Sequence, residues 1–209
     1  MPSRLVLVGA GGHARACIDV IEQAGVFRID GLIGLASETG SRVLGHTVVG
    51  TDSLLERLDP REVAAFVAIG QILQPMPRIA AFERLGTCGF QRPVILSPRG
   101  YVSPHARVGE GTIIMHGAIV NAGAVIGRNC IINTSALIEH DAQVGDHCHI
   151  STHAVLNGGA RVLDRSFIGS GCIVRENVQV GADCVVGMGQ CIRRDCADHQ
   201  RLPPQREGT

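Results

Sequence analysis

Aliphatic residues recur at every sixth position through the second half of the chain. The series starts at Val102 and ends at Ile192, and all sixteen of its members are Val, Ile or Leu. The residue two positions before each is small or short in nearly every case. An α-helix, with about 3.6 residues per turn, cannot keep this period, whereas a β-solenoid can, because each hexad forms one short strand and one corner.

The hexads predict a narrow prism of parallel strands. Residues two apart on a strand point to the same side, so the aliphatic and the small residue of each hexad should both fill the core. Three hexads close a triangular coil of about 18 residues, and the series makes about five coils, roughly 25 Å tall at the usual strand spacing. Gly often follows the aliphatic, as in Val108-Gly109 and Val144-Gly145, which predicts unusual φ and ψ at these corners.

The first hundred residues follow another pattern, which predicts a small α/β domain. An apolar strand at residues 5–8 leads into a glycine-rich turn and a helix over 14–24. Further strands are predicted at 29–33, 64–69 and 94–96, and a further helix at 79–85. We therefore expect a Rossmann-like α/β domain at residues 1–97, a parallel β-helix at 98–196 and a C-terminal tail at 197–209.

The glycine-rich turn is a candidate phosphate site. Gly9, Gly11 and Ala14 fit the G-x-G-x-x-G/A spacing, which presents backbone N–H groups and a helix N-terminus to a phosphate. A dinucleotide domain also expects an acid at the end of its second strand, but Asp30 lies at the start of that strand and Gly34 near its end. The pattern favours a nucleotide-bearing ligand other than NAD(P), with a purely structural turn as the alternative.

Composition narrows the class of protein further. The chain is 45% apolar but only 3% aromatic, which suits a narrow and regular core. Its net charge of zero argues against a nucleic-acid partner, and no apolar run reaches the roughly 20 residues of a membrane span. The N-terminus leads into the glycine turn without a cleavage site. We expect a soluble, cytoplasmic protein that neither binds nucleic acid nor inserts into a membrane.

The eight cysteines have a simple explanation on the hexad lattice. No C-x-x-C pair occurs, and Cys130, Cys148, Cys172 and Cys184 occupy the small inward position. A buried Cys behaves as a small hydrophobe. Cys196 continues the same phase, and these five cysteines are therefore predicted to be core residues with no metal or redox role.

The segment "ALIEHDAQVGDHCHIS", residues 136–151, concentrates three histidines and three acids. On the lattice Ile138 is core, Glu139, His140 and Asp141 form the corner that follows it, and His149 points outward from a flat face. His140 and His149 are half a coil apart and so lie on different sides of one prism. This disfavours zinc, which needs three or four converging ligands, and no metal is expected. By position alone His140 is either a solvated corner or a functional residue.

The hexads and the "GAGGHA" turn together resemble the bacterial sugar acyltransferases of the hexapeptide-repeat superfamily. The likeness is to the sialic-acid O-acetyltransferase type and to the nucleotide-linked 4-amino-sugar N-acetyltransferases, including those for perosamine. Its most specific part is "NTSALIEHDAQVGDHCHIS", where a second His follows the first by nine residues. The resemblance implies a left-handed β-helix, a homotrimer, and an acyl-CoA cleft between neighbouring prisms.

The resemblance also implies roles for individual residues. His140 would be the general base, with Asp141 or Glu139 as the acid that orients it, and His149 and Gly158 would contact acetyl-CoA. The nucleotide sugar would bind at Gly9, Gly11, Gly12, His13 and Gly70.

The predicted function is acetyl-CoA-dependent acetylation of the amino group of a nucleotide-activated sugar, for glycan, O-antigen or glycoprotein precursors. Such a reaction needs a His that accepts the proton of the amine and a carboxylate that stabilises the imidazolium. Two alternatives remain open: O-acetylation of a sialic-acid-like sugar, and a non-catalytic hexapeptide scaffold that kept the fold. The sugar and its nucleotide carrier are not specified by the residues.

Overall fold

A computed structural model describes residues 3–204 and divides into two compact units between Ser97 and Pro98. The first unit contains one five-stranded sheet in the order β3-β4-β2-β1-β5, which is parallel except for the β3–β4 hairpin. Its elements are β1 (Ser3–Val8), α1 (Gly12–Ala24), β2 (Phe27–Ile33), β3 (Arg42–Val43), β4 (His46–Gly50), β5 (Ala64–Val67), α2 (Met76–Thr87) and β6 (Ile95–Leu96), with 3₁₀ turns at Ala36–Glu38 and Asp52–Arg57.

The core of the first unit follows from its apolar runs. The last four residues of β1 are all buried, as is typical of a parallel strand covered on both faces. α1 buries Cys17, Ile18 and Ile21 along one side and ends at Gly25, whose φ of +65° terminates the helix. α1 begins two residues earlier and α2 three residues earlier than the sequence predicted, and the β3–β4 hairpin was not predicted at all.

The second unit is a parallel β-helix with three faces. Strands 18 residues apart pair in register, for example Ile119 with Leu137. The first face holds β7 (Tyr101–Val102), β10 (Ile119–Val120), β13 (Leu137–Ile138), β16 (Val155–Leu156), β19 (Ile173–Val174) and β22 (Cys191–Ile192). The second face holds β8 (Arg107–Val108), β11 (Val125–Ile126), β14 (Gln143–Val144), β17 (Arg161–Val162) and β20 (Gln179–Val180). The third face holds β9 (Ile113–Ile114), β12 (Ile131–Ile132), β15 (His149–Ile150), β18 (Phe167–Ile168), β21 (Val185–Val186) and β23 (Arg201–Leu202).

The inside of this prism confirms the hexad pattern. From Ile114 to Ile192 every aliphatic of the series is buried, and Val102 and Val108 at the first coil are partly buried. The small positions line the same core, including five cysteines that are buried and free of disulfides: Cys130, Cys148, Cys172, Cys184 and Cys196. Burial raises the pKa of the Cys148 thiol, so it stays neutral.

The corner glycines behave differently from the prediction. Gly109 and Gly145, each directly after an aliphatic, do not have positive φ. They are glycine because coils stack closely: a Cβ on Gly109 would lie 2.7 Å from the carbonyl carbon of Gly127. The left-handed conformation falls two positions later, as at Gly123 and Asp141. The left-handed position is occupied by Asn, Asp and His as well as Gly. A search for recurring glycines therefore does not reveal it.

The β-helix continues beyond residue 196, its predicted end. β23 pairs in parallel with β21, matching Arg201 to Val185 and Leu202 to Val186. The chain reaches this position through a bridge between Val180 and Cys196. The hexad spacing is broken in this last coil, because β23 follows β22 by 10 residues instead of 6, and periodicity alone could not locate it. Residues 205–209 of the predicted tail lie outside the described residues.

Candidate active site

His140 and Asp141 form a side-chain pair at the corner after β13. Nδ1 of His140 lies 2.9 Å from Oδ2 of Asp141. This hydrogen bond is the main cause that raises the pKa of His140, and the charges of Asp141 and Glu139 act in the same direction. With Nδ1 held by the carboxylate, Nε2 is left as the proton acceptor. The side chain of His140 is 67% exposed.

Glu139 and Asp141 make different contacts, and these contacts indicate which of the two acids orients the imidazole. Its Oε2 accepts a hydrogen bond from Nδ2 of Asn121 at 3.0 Å, one coil earlier, and from the backbone N–H of His140 at 3.3 Å. Glu139 therefore contacts the main chain of His140, whereas Asp141 contacts the imidazole. The geometry favours Asp141 as the acid that orients the ring.

Gly158 packs directly against the imidazole from the next coil. A Cβ on Gly158 would lie 2.6 Å from Nε2 and 2.8 Å from Cε1 of His140. Within the described residues the backbone N–H of Gly158 donates no hydrogen bond, whereas Gly159 N–H binds the carbonyl of His140 at 3.0 Å. A glycine at 158 thus leaves room for the ring and presents one backbone donor beside it.

An open groove of about 500 Å³ surrounds this pair. It is lined by Glu139, His140, Asp141, Asn157, Gly158, Gly159, Glu176 and Asn177. Three of these side chains are acidic and none is Lys or Arg, although Glu176 is paired with Arg175 at 2.9 Å. A second cavity of about 360 Å³ shares Asn157 and Glu176 with the groove and extends to Ile173, Cys191 and Arg193.

His149 lies away from this groove, on the third face, as its position in the hexad predicted. Although it points outward from the core, it is only 6% exposed on its own chain. Its ring meets Phe167 edge to face with centroids 5.2 Å apart, and its Nε2 lies 3.0 Å from Nδ2 of Asn133. Neighbouring outward side chains on this face, such as Ile131, are buried as well.

The glycine turn of the first unit brings its predicted residues together. Gly9 has a φ of +116°, and a Cβ there would lie 3.0 Å from the carbonyl carbon of Ala68. A Cβ on Gly70 would lie 3.2 Å from Cβ of His13, so the end of β5 packs on the first turn of α1. Gly11 and Gly12 are exposed, and nothing lies within 4 Å of an added Cβ at either position. The turn has the open backbone that a phosphate requires.

Two side chains near this turn were not found from the sequence. Arg78 of α2 is fully buried, and its Nη1 donates to the carbonyls of Val67 at 2.8 Å and Ile69 at 2.7 Å, fixing the end of β5. Glu38 places Oε2 2.8 Å from the backbone N of Leu35 and 2.7 Å from the site of a Cβ on Gly34. The end of β2 therefore does carry an acid, supplied by the 3₁₀ turn that follows it.

Two absences apply to the described part of the chain. No group of three or more His, Cys, Asp or Glu side chains among residues 3–204 is placed to hold a metal ion. Within the same residues, neither helix has the length and apolar character needed to span a bilayer.

A hexapeptide β-helix with a His–carboxylate pair at an open corner defines an acyltransferase. Two family models match the chain: the PglD N-terminal domain over residues 4–83 and the bacterial transferase hexapeptide (six repeats) over residues 105–140. The chain belongs to the hexapeptide-repeat sugar acyltransferases, and its β-helix is accordingly left-handed. No curated protein matches the chain.

Solved structures agree over almost the whole length. The acetyltransferase domain of PglB from Neisseria gonorrhoeae is 33% identical, covers 95% of both chains and superposes with a TM-score of 0.88. PerB from Caulobacter crescentus, solved with CoA and GDP-perosamine, is 35% identical over 94% of this chain and 91% of its own, with a TM-score of 0.86. WeeI from Acinetobacter baumannii, at 18% identity and a TM-score of 0.83, shares the fold.

Proposed function

We propose that the chain transfers the acetyl group of acetyl-CoA to the amino group of a nucleotide-activated amino sugar. The observation that carries this proposal is the His140–Asp141 pair, which leaves Nε2 of a carboxylate-bound imidazole facing an acidic groove. The similar PglB domain has been solved with acetyl coenzyme A, and PerB with CoA and GDP-perosamine. Both substrates are cytoplasmic metabolites, which supports a cytoplasmic location.

In this proposal His140 acts as the general base. The ammonium form of the acceptor first loses one proton to solvent. As the neutral amine then attacks the thioester carbonyl, a C–N bond forms, and Nε2 takes the further proton that the nitrogen loses. The Asp141 carboxylate stabilises the imidazolium, and the backbone N–H of Gly158 donates to the developing oxyanion. The C–S bond then breaks, and the CoA thiolate leaves and recovers the proton from His140.

The charge of the groove supports an amine as the acceptor. Glu139, Asp141 and Glu176 all line it, and neither Lys nor Arg does. Asp141 is hydrogen-bonded to His140 and Glu176 is paired with Arg175 at 2.9 Å, so Glu139 is the carboxylate of the three without a cationic partner among the described contacts. An amino sugar arrives largely as the ammonium form, which these carboxylates attract, whereas a hydroxyl acceptor gains nothing from them. Gly9, Gly11, Gly12, His13 and Gly70 are proposed to hold the nucleotide diphosphate, and His149 to contribute to the CoA site.

The acceptor is tested by measuring thiol release from acetyl-CoA with UDP-, GDP-, dTDP- and CMP-linked amino sugars. We expect turnover with at least one of them, and none with the matching sugar that carries a hydroxyl in place of the amine. The same amino sugar without its nucleotide should react poorly, since the glycine turn then binds nothing. Turnover only with hydroxyl sugars would establish O-acetylation, and failure to bind acetyl-CoA in calorimetry at millimolar concentration would indicate a scaffold.

We further propose that the chain forms a homotrimer through the first face of the prism. The outward side chains of this face are apolar along its whole length: Tyr101, Ile119, Leu137, Val155, Ile173 and Cys191. Ile173 is 44% exposed on the single chain. The cavity that contains it shares Asn157 and Glu176 with the His140 groove, so a second copy on this face would enclose the groove.

Ile173→Glu is expected to prevent this assembly, because a charge is costly to bury in an apolar interface. Light scattering should give three times the 22.0 kDa chain mass for the unmodified protein and a smaller mass for the variant. The matched control is Gln143→Glu, an exposed outward position on the polar second face, which should keep the trimer. A trimeric Ile173→Glu protein would rule out this face as the interface.

A further inference from the structure

The Asp141 carboxylate lies against Gly123, which occupies the equivalent corner one coil earlier. Gly123 has a φ of +76° and Asp141 a φ of +60°, so both adopt the left-handed conformation. A Cβ on Gly123 would collide with Oδ1 of Asp141 and lie 3.3 Å from its Cγ. The backbone N–H of Asp141 is fixed to the carbonyl of Ala122 at 3.1 Å. Any side chain at 123 would therefore displace the carboxylate and leave the main chain in place.

Two other corner carboxylates pack on a glycine of the preceding coil at a different position of the corner, and they serve a structural purpose. The carboxylate of Asp146 lies against Gly127 and accepts a hydrogen bond from the backbone N of Arg128 at 2.7 Å. The carboxylate of Asp164 likewise lies against Gly145 and binds the backbone N of Asp146 at 2.9 Å. These carboxylates join adjacent coils.

The Asp141 carboxylate is used differently. Among the described residues it hydrogen-bonds to Nδ1 of His140. Here a carboxylate that packs on a corner glycine lies beside an imidazole and does not join two coils.

We propose that Gly123 is a positioning residue for the acyl transfer: the absence of a side chain at 123 holds the Asp141 carboxylate against Nδ1 of His140. The inference rests on the proposed function, in which His140 is the base. The side chain of Asp141 is 73% exposed, so a displaced carboxylate can turn into solvent with little strain. A side chain at 123 should therefore damage the site far more than the fold.

The effect on His140 has a definite sign. Its hydrogen bond with Asp141 is the main cause of its raised pKa, and the remaining acids near the ring are Glu139 on the same corner and Glu176 across the groove. Displacing Asp141 removes that bond, so the pKa of His140 falls toward its ordinary value. Since the base acts in its unprotonated form, the acid limb of the kcat profile should move to lower pH, while the plateau drops because the ring is no longer oriented.

The test substitutes Gly123→Asn, because Asn accepts positive φ but adds the Cβ that meets Asp141. Gly171→Asn is the matched control: its φ is +67°, and an added Cβ there has nothing within 4 Å. We expect Gly123→Asn to lower kcat by about 10-fold or more, with both KM values and the melting temperature equal to those of the control. Gly123→Ala, which adds only the Cβ, serves as the second variant should the Asn protein fold poorly.

Two further measurements separate positioning from general damage. The pKa of His140, followed by NMR without substrate, should fall in Gly123→Asn and stay unchanged in Gly171→Asn. Adding Asp141→Asn to Gly123→Asn should lower kcat no further than Asp141→Asn alone, since both act through one hydrogen bond. An unchanged pKa and kcat in Gly123→Asn, or fully multiplicative losses in the double variant, would overturn the proposal.

The NMR measurement also distinguishes this inference from the proposed function. If His140→Ala kept its turnover while Gly123→Asn still lowered the pKa of His140, the packing of the pair would stand and the assignment of the base would fail.

Discussion

His140→Ala is expected to lower kcat by about 100-fold or more, because the amine then has no side chain to accept its proton. The KM for acetyl-CoA should change little, since the imidazole acts on the amine. The ring is exposed at a corner and is not part of the core, so the variant should keep its melting temperature and its oligomeric state. Steady-state thiol release, with circular dichroism and light scattering on the same samples, measures all of these quantities.

The matched control for this experiment is His153→Ala. His153 occupies the left-handed position of a corner on another edge of the prism and does not line the groove. Its variant should retain turnover within about twofold. Near-normal turnover in His140→Ala would remove His140 as the base, and equal losses in both variants would indicate a general effect of altering corners.

Ile132→Ala is expected to lower the free energy of unfolding by about 2–5 kcal/mol, the usual range for truncating a buried Ile. Ile132 is fully buried and stacks between Ile114 and Ile150, where the narrow prism has little freedom to collapse around a cavity. Met188→Ala, at a position 64% exposed on the same unit, should change stability by less than about 0.5 kcal/mol.

The measurement is the denaturant midpoint of each variant at one protein concentration, because oligomerisation contributes to apparent stability. A similar loss in the Ile132 and Met188 variants would contradict the assignment of the aliphatic series to the core.

Periodicity made most of the second unit predictable. Each hexad forms one strand and one corner of constant length, so a residue's position in the hexad fixes whether it points inward, and this holds from Ile114 to Ile192. β23 was not predicted because its spacing from β22 departs from the hexad. Its pairing with β21 is set by the coil that precedes it. The β3–β4 hairpin has strands too short to leave a pattern.

The candidate site was predictable in part. The hexad placed His140 at a corner, but it could not decide between Asp141 and Glu139, since both flank the His and only side-chain torsions separate them. The proposed roles of Gly123 and Gly158 depend on contacts between coils: Gly123 contacts Asp141, and Gly158 contacts His140, each across 18 residues. In sequence neither glycine differs from the other corner glycines. Nothing in the sequence distinguishes Arg78 from the other arginines, and only its burial in the structure does so.

Because all hexads are equivalent in the core, the sequence features that determine the fold differ from those that determine the site. Deleting six residues between Gly123 and His140 would leave every core position aliphatic or small, so the prism could still close. The same deletion would move every later strand back onto the preceding face, carrying His140 and Asp141 away from Gly123 and away from the edge of the apolar face. Such a shift leaves the core residues in equivalent positions. The site is kept only when the shift is a whole coil of 18 residues, because its residues contact one another across coils. Insertions and deletions of whole hexads can thus abolish activity in this architecture while the core of the prism still closes.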